Sequence, residues 1–93
     1  NKKFRKPDPT EKKALQDLAE QISKMSTALQ PEEMQTIVYS VGKTHYSKER
    51  LREWFKMIYE VLFGDEQGPR MGSFISFYGI KETVNLINKS IND

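Results

Sequence analysis

Apolar residues recur along this chain at helical spacing, and no segment alternates convincingly between polar and apolar positions as a strand would. The strongest pattern begins at Leu51 and repeats at i, i+3, i+4, i+7, i+8 and i+11. We interpret its aromatic residues, Trp54, Phe55 and Tyr59, as part of the core rather than as a surface on which bases stack. The faces of four predicted helices are Leu15, Leu18, Ala19, Ile22 and Leu29; Met34, Ile37, Val38 and Val41; Leu51, Trp54, Phe55, Ile58, Tyr59 and Leu62; and Ile80, Val84, Ile87 and Ile91. With a short turn before the last helix, the pattern predicts an all-α bundle of about five helices.

Residues with a known preference for helix ends mark where these helices are expected to begin. Thr10, Ser47 and Ser73 are each placed to cap a helix through a side-chain oxygen. Pro31 is placed at the first position of the second helix, where its missing N–H has no intrahelical partner to lose.

The stretch Gly64–Gly79 separates the two most apolar patterns and contains four of the five glycines. Gly64 is expected to end the third helix, and Pro69 bars its continuation. A short helical turn closed by Gly79 then carries four apolar residues, Phe74, Ile75, Phe77 and Tyr78. A simple linker between helices needs none of these features, so we consider this stretch the most informative part of the sequence.

Charge divides the chain into two parts. Residues 1–9 hold four cations, one acid and two prolines, which predicts a flexible basic linker before a helical domain at 10–93. The linker is interpreted either as a solvated tail or as an arm that contacts phosphates. The net charge of +2 permits a polyanionic partner without requiring one.

Composition argues against several functional classes. The chain has no cysteine and one histidine, His45, so it offers few of the side chains that form metal sites or nucleophilic triads. Lys24–Thr27 resembles a nucleotide-loop motif of synthetases, but it lies in a helical pattern without strands, and we interpret it as chance. No apolar run approaches the ~20 residues of a membrane span. We expect a soluble cytoplasmic protein that binds no metal, and Asn1 in place of methionine suggests a fragment.

The candidate binding residues are cations and aromatics. Arg70 lies on a constrained loop between Pro69 and Gly72, where it either contacts a ligand or forms a salt bridge to a neighbouring acid. One of the short turn's aromatics is expected to remain exposed, where it can stack on an unpaired base. The candidates are Arg70, Phe74, Phe77 and Tyr78 for bases, and Lys43, Lys48 and Arg52, on an otherwise ion-paired face, for phosphates.

Three segments together resemble the end of a class I lysyl-tRNA synthetase. They are Leu51–Lys56 (LREWFK), Glu66–Phe74 (EQGPRMGSF), which is the most specific, and Phe77–Ile80 (FYGI). The upstream Ile37–Lys43 (IVYSVGK) fits the same pattern, and the resemblance is weak over the first helix.

The resemblance implies a C-terminal anticodon-binding domain of the α-helix cage type, whose partners are tRNA(Lys) and an N-terminal catalytic domain of the same chain. Lysine activation with ATP would then occur on that other domain, so no catalytic residue and no cofactor are expected here. The alternative is a helical module that binds a protein or braces a neighbouring domain without RNA contact.

Overall fold

The computed structural model describes residues 2–25 and 30–92, and within these ranges the regular secondary structure is all helical, without strands. Five α-helices are present: α1 (Pro9–Ser23), α2 (Pro31–Tyr46), α3 (Leu51–Ile58), α4 (Met71–Tyr78) and α5 (Ile80–Asn92). A 3-10 turn, Lys48–Arg50, leads into α3, and a π-helical turn, Tyr59–Phe63, extends it. The predicted all-α class is confirmed.

The cap predicted at Thr10 is wrong, because α1 begins one residue earlier, at Pro9. Asp8 is the N-cap: its carboxylate accepts a hydrogen bond from the Glu11 N–H at 2.8 Å, and the Glu11 carboxylate accepts one from the Asp8 N–H at 2.9 Å. This reciprocal pair satisfies two backbone donors at once. Pro9 fits the first helical position because it has no N–H to satisfy.

Neither of the other two predicted serine caps forms. Ser47 has a positive φ of 75° and makes no capping hydrogen bond with its side chain, so it redirects the chain between α2 and the 3-10 turn. Ser73 lies inside α4, which is preceded by Arg70 as its N-cap residue. Pro31 does begin α2, as predicted.

Glycines end the two helices at which the sequence predicted them. Gly64 has a φ of 70° and follows the π-helical turn, and Gly79 has a φ of 108° and follows α4. These angles favour glycine because a Cβ strains the backbone in this region.

The core forms where the predicted apolar faces meet, with α1 packed on α2 and α5, and α2 packed on α3 and α4. Trp54 is completely buried, and its indole N–H donates to the Val38 carbonyl at 3.0 Å. Met57 and Val61 are also buried, although they lie outside the predicted stripe. The predicted core residue Leu29, and part of the Lys24–Thr27 motif, lie outside the described residues.

The segment before α1 lies against the helices. The Lys3 N–H donates to the Gly64 carbonyl at 2.8 Å, and Pro7 is buried. The Arg5 guanidinium bonds to Glu11 at 2.8 Å and to Glu60 at 2.9 Å, so it joins α1 to the π-helical turn. The flexibility of this linker remains a prediction. The contacts of Lys3 and Arg5 hold the segment against α1 and the end of the π-helical turn.

Acid is expected to weaken this docking. The Arg5 guanidinium lowers the pKa of Glu11 below its usual value, so the ionised carboxylate stabilises the fold above the unfolded pKa of about 4.3. This contribution is lost as the pH falls through the lower, folded pKa. Glu11→Gln should reduce stability by about 1 kcal/mol at neutral pH and flatten the acid dependence, measured by urea unfolding between neutral and acidic pH.

Glutamine isolates the charge, because its amide oxygen can still accept from the Asp8 N–H. Glu20→Gln is the matched control on the same helix, since Glu20 is exposed and its ion pair with Lys24 is long, at 3.9 Å. An acid dependence in Glu11→Gln as steep as that of the parent chain would contradict the assignment.

Candidate nucleic-acid interface

The loop before α4 is anchored on Tyr59 of the π-helical turn. The Tyr59 hydroxyl donates to the Pro69 carbonyl at 2.8 Å. A Cβ added at Gly68 would lie 2.7 Å from the Tyr59 ring, so only glycine lets the backbone pass this closely. Burial raises the pKa of Tyr59, which keeps its hydroxyl protonated as a donor. The loop therefore has a fixed attachment directly before Arg70.

The first turn of α4 is anchored on α2. The buried Gly72 N–H donates to the Gln35 side-chain oxygen at 2.6 Å. Gln35 is itself buried, and this bond satisfies a backbone donor that the start of a helix leaves without an intrahelical partner. Arg70 consequently lies between two fixed points, Pro69 on one side and Gly72 on the other.

The Arg70 side chain is exposed and forms no ion pair with any residue in the described ranges. The acids considered as its partners are engaged elsewhere. Glu66 lies 3.9 Å from Lys56, and the Asp65 carboxylate accepts from the Glu66 N–H at 2.7 Å. The predicted alternative, a salt bridge between Arg70 and a neighbouring acid, is thus not observed among the described residues. The Arg70 side chain is exposed to solvent.

Three of the predicted base-contacting residues lie on α4 itself. Phe74 stacks on Tyr78 with ring centres 4.8 Å apart and meets the edge of Phe63 at 4.9 Å. Phe77 is 92% exposed and Tyr78 is 43% exposed. Arg70 is the N-cap residue of α4, seven residues before Phe77. The structure thus places Phe74, Phe77 and Tyr78 on the helix that Arg70 directly precedes.

The predicted phosphate-contacting cations lie in a different place. Lys43, Lys48 and Arg52 are exposed around the turn from α2 into α3, and none pairs with an acid in the part of the chain that the structure describes. Lys43 is eight residues beyond Gln35, or about 12 Å along α2 from the start of α4. Their neighbours are ion-paired, as the sequence suggested: Arg50 with Glu53, and Lys56 with Glu60.

Tyr39 is a candidate that the sequence did not single out. It is 41% exposed, and its ring meets that of Phe55 edge-on at 5.3 Å. It lies one turn after Gln35 on α2. The only hint in the sequence was a large aromatic residue directly beside the predicted apolar stripe of α2.

The glycine spacing around the loop before α4 differs from that of a nucleotide-binding loop. Gly64, Gly68 and Gly72 do not follow a phosphate-loop spacing, and the Gly72 N–H is already bonded to Gln35. No group of three acidic or histidine side chains placed to hold a metal ion occurs in residues 2–25 and 30–92. Over the same ranges, none of the helices combines the length and apolarity needed to cross a bilayer.

Comparison with known proteins connects this arrangement to one group of enzymes. A lysine–tRNA ligase of Roseobacter denitrificans is 41% identical over 90 residues, which is 97% of this chain and 17% of that protein. Lysine–tRNA ligases of Rickettsia felis and Rickettsia bellii are 40% and 36% identical, over 92% and 98% of the chain. The chain is related to the lysyl-tRNA synthetases. The resemblance of the motifs to a lysyl-tRNA synthetase is confirmed.

The chain spans about one-sixth of the length of the curated lysyl-tRNA synthetases it matches. The match also includes the first helix, where the motifs alone gave only a weak resemblance. No family model matches the sequence, and no solved structure matches it.

Proposed function

We propose that the chain is the C-terminal anticodon-binding domain of a class I lysine–tRNA ligase. In this proposal it holds tRNA(Lys) for aminoacylation by a separate catalytic domain of the same chain, and that domain carries the ATP chemistry. The observation that carries the proposal is the exposed Arg70, held on an anchored loop and followed on α4 by exposed aromatic rings.

This arrangement suits unpaired RNA. Anticodon bases are unstacked, and proteins read them by stacking on aromatic rings or guanidinium planes and by hydrogen bonds to base edges. Arg70 and one of Phe74, Phe77 or Tyr78 would contact bases. Phe77 is the most accessible of the three, because both neighbouring rings are partly covered by stacking.

The separate cationic group suits the RNA backbone. Lys43, Lys48 and Arg52 would contact phosphates, which position an RNA without reading its sequence. The cations of the segment before α1 would also contact phosphates, except for Arg5, whose guanidinium is already held by the Glu11 and Glu60 carboxylates. Phosphate contacts of this kind make affinity fall as salt rises.

An NMR titration with an anticodon stem-loop tests the proposal. The stem-loop carries either a lysine anticodon or a scrambled one, and each is added at two salt concentrations. Amide shifts concentrated at residues 68–78 for the lysine anticodon alone would support base reading. Equal, salt-sensitive shifts with both loops would reduce the domain to a phosphate-binding surface. Absence of shifts would favour a protein-binding or bracing module.

Arg70→Ala is expected to weaken binding of the lysine stem-loop by about ten- to a hundredfold, since a hydrogen bond to a charged group contributes roughly 1.5–3 kcal/mol. Folding should be unaffected, because the Arg70 side chain is exposed and makes no ion pair with a described residue. Lys89→Ala is the matched control, an exposed cation on α5 whose loss changes the net charge equally. Equal affinities of the two folded variants would remove Arg70 from the site.

A further inference from the structure

Tyr39 lies on α2, and its ring contacts Phe55 of α3. Gln35, one turn earlier on α2, holds the Gly72 N–H at 2.6 Å. Tyr59 holds the Pro69 carbonyl at 2.8 Å, and its pKa is raised by burial and, to a smaller extent, by electrostatic interaction with Tyr39. The loop that presents Arg70 is therefore anchored on Gln35, one turn from Tyr39 on α2, and on Tyr59 of the π-helical turn.

The Tyr39 ring is both fixed and accessible. Its contact with Phe55 is edge-on, with an angle of 69° between the ring planes, and 41% of the residue remains exposed. Phe74, by contrast, is half-buried between Tyr78 and Phe63 and has little free ring surface. A ring already held by a neighbour loses little rotamer freedom when a second ring stacks on it.

We propose that the Tyr39 ring and the Arg70 guanidinium hold one unpaired RNA base between them. The inference rests on the proposed function and adds to it a residue that determines the position of a base. Bases stack on tyrosine rings, and the planar guanidinium stacks on the opposite face while its N–H groups bond to base edges. The two walls come from separate elements, α2 and the loop before α4, and each is held by its own contacts.

The choice of an RNA base over a peptide follows from the surroundings of the two walls. Tyr39 offers a flat aromatic surface and Arg70 a planar cation, and the nearby loop acids are engaged with Lys56 and with backbone. A planar, electron-rich ring with polar edges matches both walls. A peptide that binds by adding a strand would instead require an unpaired strand edge, and residues 2–25 and 30–92 contain no strand.

The test uses the 93-residue chain and stem-loops in which one loop base at a time is replaced by 2-aminopurine, whose fluorescence falls on stacking. Tyr39→Ala should weaken binding about tenfold, in the range of base–aromatic stacking, and abolish the quenching of one loop base. Tyr39→Phe, which keeps the ring, should retain both to within about twofold. Phe4→Ala removes an exposed ring of the segment before α1 and should change neither.

A double-mutant cycle with Arg70→Ala tests whether the two walls share one base. If they do, the double variant binds only slightly more weakly than the weaker single variant, because either change already frees the base. Fully additive losses would overturn the shared site, as would unchanged affinity in Tyr39→Ala, and either result would leave the proposed function standing. A parent chain that binds no stem-loop would overturn both the inference and the proposed function.

Discussion

Trp54→Ala is expected to remove a large part of the stability of this domain. Trp54 is the largest completely buried side chain, and such a truncation typically costs about 3–5 kcal/mol. A domain of this length is stable by only about 5–14 kcal/mol, so the variant should be partly unfolded at 37 °C. Urea unfolding followed by far-UV circular dichroism measures the loss, because the chain has no other tryptophan to report by fluorescence.

Trp54→Phe separates packing from hydrogen bonding at the same position. It keeps an aromatic ring against α2 but loses the bond from the indole N–H to the Val38 carbonyl. Its cost should be clearly smaller than that of alanine, at about 1–2 kcal/mol. A loss below about 1 kcal/mol in Trp54→Ala would mean that α3 does not pack on α2 as described.

The helices and their buried faces were predictable from sequence because apolar spacing depends only on helix geometry. Leu15, Val38, Ile58 and Ile87 are all completely buried where the pattern placed them. Met57 was missed because α3 continues into a π-helical turn and is covered by more than one neighbour. A pattern that describes a single apolar face underestimates the number of residues that such a helix buries.

Helix starts were less predictable, because several capping residues lie close together in the sequence. Asp8 and Thr10 both suit the start of α1, and two prolines made a helix before Thr10 look improbable. The structure shows that Asp8 is the N-cap residue, because Glu11, at the third helical position, completes the reciprocal pair of hydrogen bonds with it. Pro9 occupies the first helical position. At Ser47 and Ser73, tertiary packing sets the backbone and overrides the local preference of serine.

The candidate site was predictable only where local sequence determines it. Arg70 lies between proline and nearby glycines, which is a local feature and indicates a constrained loop. Gln35, one turn before Tyr39, bonds to the start of α4 because α2 packs on α4, and no sequence spacing encodes this contact. The same holds for the Tyr59 hydroxyl on Pro69, which joins residues of separate elements.

Gly72→Ala is expected to destabilise the domain by about 3 kcal/mol, a large cost for one added methyl group. The new Cβ would overlap the Pro31 carbonyl oxygen and lie 2.6 Å from the Gln35 nitrogen. Both are backbone atoms of the first five residues of α2, so no side chain can move aside to make room. The helices must separate, which also breaks the bond between the Gly72 N–H and the Gln35 side chain.

Ser73→Ala is the matched control, one residue further along the same helix, and should change the free energy of unfolding by less than about 0.5 kcal/mol because Ser73 is exposed.

If the proposed function holds, Gly72→Ala should also weaken RNA binding under conditions where it remains folded. Moving α4 displaces Arg70 relative to Tyr39, although neither residue is changed. Unfolding of Gly72→Ala at the urea concentration of the parent chain would contradict the close approach of α4 to α2. Weakened binding without loss of stability would instead place Gly72 itself in contact with the RNA.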